Sequence, residues 1–210
     1  MKEEDCLSSA LRDWINKSES FVAEQRDGLR IRQLDAALAH WLELISSAKG
    51  VEILSDNGLV LPAAAMARLC AEHLFALGAI LKDPNVAALM LGSSKEEFNK
   101  ALNALKADTS SLELLSDEVK EELRNKSAIS DPEKKSLKSS QFELAQKAGL
   151  QSIYNTRYRL LSMVASHATA LSIGEQEQHV VMLHKVAIPS TIEFLQEAMV
   201  QVADALQTNQ

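Results

Sequence analysis

Apolar residues recur along most of this chain at the three- and four-residue spacing of an α-helix. No segment shows the strict alternation of a half-buried strand or a hairpin dipeptide, so the pattern predicts an all-α fold, a helical bundle. The spacing, the capping residues and the turn signals predict helices over residues 5–24, 34–54, 62–81, 83–91, 94–106, 110–125, 151–173 and 178–207. Pro189 lies inside the last of these and is expected to kink or split it.

Two segments are apolar on almost every side, yet each carries a few polar groups. The first, residues 62–81, has Arg68, Glu72 and His73 as its only strongly polar side chains. The second, residues 158–173, carries Tyr158, Arg159, Ser162, Ser166, His167 and Thr169. Because a helix that is apolar all round is a buried helix, these segments are predicted to be the two central helices of the bundle.

The polar groups on these two helices are the candidate binding residues. Arg68 and Glu72 are four residues apart, so they share a helix face and can form an ion pair. His73 falls on the adjacent stripe. If the central helices pack together, Glu72 or His73 is expected to meet Tyr158, Ser162 or His167. Since buried charge is costly unless it is paired, the cluster is either a structural network in the core or the lining of a site.

Charge and cysteine content narrow the class of protein. A net charge of -7 and a pI near 5.3 argue against broad non-specific binding to nucleic acid. Cys6 and Cys70 do not form a disulfide framework, and the acidic N-terminus lacks the apolar region of a signal peptide, so a cytoplasmic protein is expected. Arg68 and Glu72 near the middle of residues 62–81 disfavour insertion of that segment into a membrane.

Charged residues are concentrated in residues 95–147, which hold 10 Lys or Arg and 11 Asp or Glu. We interpret this segment as a charged, peripheral helical excursion from a single domain that spans residues 1–210. Residue types that often bind metal occur at Glu175, His179 and His184, but their spacing does not complete a set of metal ligands. We interpret them as solvated helix residues. No metal site and no cofactor are predicted.

The order of these features resembles an uncharacterised, mostly bacterial family of helical domains of unknown function. The matching stretches are the Arg-x-x-x-Glu motif at Arg68–Glu72, the pair Asp83-Pro84, and Tyr158-Arg-Leu-Leu-Ser162 leading to His167-Ala-Thr169. The resemblance covers roughly residues 30–175. It implies the helical fold and the location of the site, but no activity.

A more distant resemblance is to the HEPN superfamily of helical domains, which includes metal-independent ribonucleases. Their signature is an arginine followed closely by a histidine, and the site is usually completed across a dimer. Here Arg159 and His167 would be the catalytic pair, with seven residues between them, which is more than the signature has. The resemblance implies that the imidazole acts as acid and base and that the guanidinium stabilises phosphate charge.

Two functions therefore remain open. The favoured one is a non-enzymatic helical module that binds a protein partner or a small ligand through Arg68, Glu72, His73, Tyr158, Ser162 and His167. The alternative is a HEPN-like ribonuclease of a toxin or phage-defence system, and RNA is expected as a partner only in that case. A strongly amphipathic first helix is compatible with a homodimer.

Overall fold

The computed structural model describes residues 3–31, 34–108, 113, 116–125, 140–165 and 176–207. These residues are almost entirely helical and include no strand, which confirms the all-α prediction. The helices are α1 (Glu3–Ile31), α2 (Asp35–Asp56), α3 (Val60–Lys82), α4 (Asn85–Ala107), α5 (Asp117–Asn125), α6 (Gln141–Ala148), α7 (Gln151–Ile153), a π-helix (Tyr154–Tyr158), α8 (Arg159–Ala165) and α9 (Gln176–Gln207).

The apolar helix α3 lies at the centre of the bundle. It packs against α2, α6, α8 and α9, and Leu74, Phe75 and Leu77 are fully buried. Among the helices that can be described, α3 alone is long and apolar enough to cross a membrane, but most of that stretch is buried inside the protein. Its apolar composition is therefore explained by enclosure within the bundle, as expected for a central helix.

Helix α6 meets α3 at very close range. A Cβ atom added at Gly78 would lie 2.8 Å from the Cβ of Ala148 and 3.5 Å from Oε1 of Gln201, so only glycine fits this crossing of α3, α6 and α9. Just beyond it, Gly149 ends α6 in the left-handed conformation with φ 75°. The Nζ of Lys82 donates to the carbonyl of Ala148 at 2.6 Å and so ties the end of α3 to the end of α6.

Contacts between α1 and α2 complete the core on the other side. Phe21 and Trp41 pack edge to face with ring centroids 5.5 Å apart, and Trp41 is fully buried. At the surface Lys49 and Glu19 form an ion pair of 2.6 Å between the two helices. Such exposed pairs add little to stability, so the aromatic contact is the stronger link.

The chain divides into two compact units, Met1–Pro84 with Ser139–Gln210, and Asn85–Lys138. The first contains α1–α3 and α6–α9, and the second contains α4 and α5, which contact each other. The described side chains of the second unit are mostly exposed or half-buried, and Leu102 of α4 is one of the few among them that are buried. The prediction of one domain with an excursion over residues 95–147 remains a prediction.

One expectation about helix boundaries was wrong. The predicted helices 83–91 and 94–106 are one continuous helix, α4, because the hydroxyl of Ser94 donates to the carbonyl of Met90 at 3.1 Å instead of capping a new helix. Helix α9 runs through Pro189 without being split, and a kink at that residue stays a prediction. The predicted start at Ser110 lies outside the described residues.

We expect Gly78→Ala to lower the free energy of unfolding by about 1–3 kcal/mol, because the added methyl group overfills the crossing of α3 and α6. Gly28→Ala is the matched control. Its Cβ would lie 3.5 Å from Leu206, an ordinary contact, and alanine favours a helix interior over glycine by about 0.5–1 kcal/mol. Urea unfolding of the two variants tests this, and equal stability of both would contradict the close approach.

Candidate functional site

A cluster of three polar side chains joins α3 to the π-helix. Arg68 Nη2 lies 2.7 Å from Glu72 Oε1 within α3, and the hydroxyl of Tyr158 donates to the same carboxylate oxygen at 3.1 Å. We call Arg68, Glu72 and Tyr158 the polar cluster. One carboxylate oxygen thus accepts from a cation on its own helix and from a hydroxyl on a neighbouring element, which links the two central helices of the sequence analysis.

The polar cluster lies at the boundary between the core and solvent. The side chains of Arg68 and Glu72 are 30% and 20% exposed, whereas Tyr158 is buried. Leu69, the next residue on α3, is exposed. The ion pair is therefore recessed but open to water, and a molecule from solution can reach its outer atoms.

The π-helix positions Tyr158. In it the N–H of Arg159 bonds to the carbonyl of Tyr154, five residues back, so one extra residue is accommodated between α7 and α8. Such π-turns are rare and frequently occur at functional sites. The sequence predicts a regular helix over this stretch, because nothing in its apolar spacing marks the extra residue.

Aromatic rings support the cluster from behind. Tyr154 stacks on Tyr158 with centroids 5.1 Å apart, and Phe142 of α6 packs on Tyr154 at 5.2 Å. Phe75 of α3 meets the edge of Tyr158 at 5.6 Å, and the guanidinium of Arg68 lies 5.8 Å from the centre of the Tyr158 ring. Sequence reasoning did not assign Phe142, Phe75 or Tyr154 to the site. The only available signal was the four-residue spacing of the two tyrosines.

Both protonated members of the cluster hold their protons firmly. Burial would lower the pKa of Arg68, but Tyr158 and the charge of Glu72 outweigh burial and raise it. The pKa of Tyr158 is also raised, chiefly by burial and further by the negative charge of Glu72. The guanidinium and the phenol are therefore both protonated at neutral pH.

Two buried polar atoms beside the cluster have no hydrogen-bond partner among the described residues. They are Nε of Arg68 and Oγ of Ser162, a residue that lies one turn beyond Tyr158. Buried polar atoms are normally satisfied, by water where protein groups are missing. Both atoms are enclosed by protein, so a molecule from solution reaches the cluster from its outer side.

His73 lies on a different side of α3 from the polar cluster. Its Nδ1 is 3.1 Å from Nδ1 of His40 on α2. Sequence analysis grouped His73 with the binding residues, and the structure places it next to Glu72 in the chain but in contact with α2. Nothing in the sequence pairs His40 with His73.

The residues predicted for the ribonuclease alternative are only partly described. Arg159 is exposed at the start of α8, while His167 lies outside the described residues, as do Ser166, Thr169 and Glu175. His179 and His184 fall in α9, but their side chains are not described. No cluster of three or more potential metal ligands occurs in the regions that the structure describes.

The fold and the cluster define a class: an all-helical protein built on a central apolar helix that carries a recessed ion pair. Residues 34–180 match the model of a family of unknown function, DUF5677, and the chain belongs to that family. This confirms the predicted resemblance to an uncharacterised helical family. No curated protein and no solved structure matches the chain.

We expect Tyr158→Phe to lower the free energy of unfolding by about 0.5–1.5 kcal/mol, because it removes the donor to Glu72. Tyr154→Phe is the matched control on the same π-helix, since the Tyr154 hydroxyl has no hydrogen bond within the described residues. Its stability should stay within about 0.5 kcal/mol of wild type. Thermal and urea unfolding check both variants, and an equal effect of the two would contradict the assigned hydrogen bond.

Proposed function

We propose that this protein is a binding module that takes a small polar ligand at the polar cluster. The observation that carries the proposal is a recessed Arg68–Glu72 pair whose carboxylate is also held by Tyr158 from a π-helix. The site offers a few inset polar atoms instead of a broad apolar patch, which suits a small ligand better than a protein surface.

The hydrogen bonds of the cluster leave specific atoms for a ligand. Glu72 Oε1 accepts from Arg68 and Tyr158, whereas Oε2 has no partner in the described part of the chain. Arg68 uses Nη2 for the pair, and 30% of its side chain is exposed. A fixed acceptor beside a fixed donor favours a ligand that presents a complementary donor and acceptor.

The raised pKa values favour binding over proton transfer. A general acid or base works best with a pKa near the operating pH, and the pKa values of Arg68 and Tyr158 both move away from neutrality. These two groups are thus suited to donate hydrogen bonds that do not change between pH 6 and 8. This supports recognition as the role of the cluster.

A thermal-shift screen of polar metabolites and nucleotides tests the proposal. A true ligand should raise the melting temperature of wild type, because a ligand at 100 times its Kd stabilises the folded state by about 2.7 kcal/mol. The shift should be lost in the double variant Arg68→Met, Glu72→Leu.

The control for that screen is a second ion pair with the same spacing. Lys100 and Glu96 form an exposed pair of 3.1 Å on α4. The variant Lys100→Met, Glu96→Leu should keep the full shift. A ligand whose shift survives in the Arg68, Glu72 variant, or is lost equally in the control, would contradict binding at the polar cluster.

The ribonuclease alternative is tested separately. It requires Arg159 and His167, and the exposed Arg159 has no ion pair among the described side chains. A ribonuclease should be toxic on overexpression and should cleave RNA in vitro, and Arg159→Ala or His167→Ala should abolish both effects. The binding-module proposal expects no cleavage and no toxicity from wild type.

The proposal includes a cytoplasmic location, for which the two free cysteines are the support, and a bacterial origin, which rests on the family resemblance alone. Cys70 is fully buried, and burial raises the pKa of its thiol, so it behaves as a small apolar residue. A homodimer is also proposed, and sedimentation equilibrium distinguishes it from a monomer.

A further inference from the structure

A pair of histidines bridges the two helices that contact each other along the core. His40 of α2 and His73 of α3 approach through their Nδ1 atoms at 3.1 Å, with ring centroids 5.5 Å apart. Both rings are partly buried. The distance is that of a hydrogen bond, so one Nδ1 must carry a proton and the other must accept it.

This geometry fixes the tautomers of the neutral pair. The donor ring carries its proton on Nδ1, and the acceptor ring must carry its own on Nε2. One added proton keeps the hydrogen bond, because an imidazolium still donates to a neutral ring. A second added proton removes the only acceptor and puts two positive charges in contact.

Burial sets the pH range in which these protons bind. Burial is the main reason why the pKa values of both His40 and His73 lie below the usual value of about 6.5. Within the described residues, the carboxylates that act on the pair are Glu43 of α2 and Glu72 of α3. Glu43 raises the pKa of both rings and Glu72 raises that of His73, while a charged His73 further lowers the pKa of His40. The second proton of the pair therefore binds less readily than the first.

We propose that the His40–His73 pair is a proton-operated latch between α2 and α3, which is closed while at least one ring is neutral and opens when both rings are protonated. The latch does not depend on the identity or existence of a ligand at the polar cluster. It does adjoin that cluster, since His73 directly follows Glu72 in α3.

The sign of the pH dependence follows from the lowered pKa values. Below pH about 6.5 the unfolded chain binds protons that the folded pair resists. The contribution of the pair to stability is thus fully present above that pH and is lost progressively as the pH falls. A change confined to the latch should appear before the whole bundle unfolds.

Nitrogen-15 NMR of the histidine rings tests the closed state directly. At pH 7.5 one of the two rings should be the Nδ1–H tautomer and the other the Nε2–H tautomer. His40→Gln and His73→Gln identify the two sets of signals. Two Nε2–H rings, or two pKa values near 6.5, would overturn the proposal.

A single-tryptophan reporter tests the opening. In a Trp14→Phe background the remaining indole is Trp41, which follows His40 and is buried against Phe21. We expect the Trp41 emission to change below pH 6.5 while far-UV circular dichroism stays constant. Adding His73→Gln should abolish that change in emission. If the His73→Gln variant does not fold, His40→Gln replaces it in the test. If the Trp41 emission followed the same pH dependence with and without His73, the latch proposal would be overturned.

Discussion

The burial of α3 is the constraint on which the rest of the structure depends. In the described part of the chain, α2, α6, the π-helix, α8 and α9 all pack against it, and Gly78 allows α6 to approach so closely that no side chain fits between. A helix in that position must be apolar on nearly all sides, and each polar group it carries must find a partner or reach solvent. The few polar residues of α3 are therefore confined to sites where a neighbouring helix or water satisfies them.

This constraint separates the polar groups of α3 into two arrangements. Arg68 and Glu72 face the π-helix, where Tyr158 completes a recessed, water-accessible cluster. His73, the next residue, faces α2 and pairs with His40. Arg68 and Tyr158 of the polar cluster stay protonated across neutral pH, whereas the histidine pair changes its protonation below neutral pH. Adjacent residues of one helix can thus serve recognition and pH response without sharing atoms.

The sequence was sufficient for the features that depend on local spacing. The apolar periodicity identified the central helix, and the four-residue interval predicted the Arg68–Glu72 pair. It also indicated Tyr158 as a group that Glu72 could meet. The π-helix, the His40–His73 contact and the continuity of α4 past Ser94 could not be predicted. They depend on tertiary packing and on competition between hydroxyl groups and backbone, which leave no periodic signal.

We infer that the polar cluster is retained for binding and not for stability. The most direct test is the unfolding free energy of the triple variant Arg68→Met, Glu72→Leu, Tyr158→Phe, which removes every polar member at once and leaves no partner uncompensated. Replacing such a group with apolar residues of similar volume is often neutral or stabilising. We expect the triple variant to be at least as stable as wild type, and Arg68→Met alone to be less stable because Glu72 loses its cation. A loss of several kcal/mol in the triple variant would show instead that the cluster is a structural network of the core.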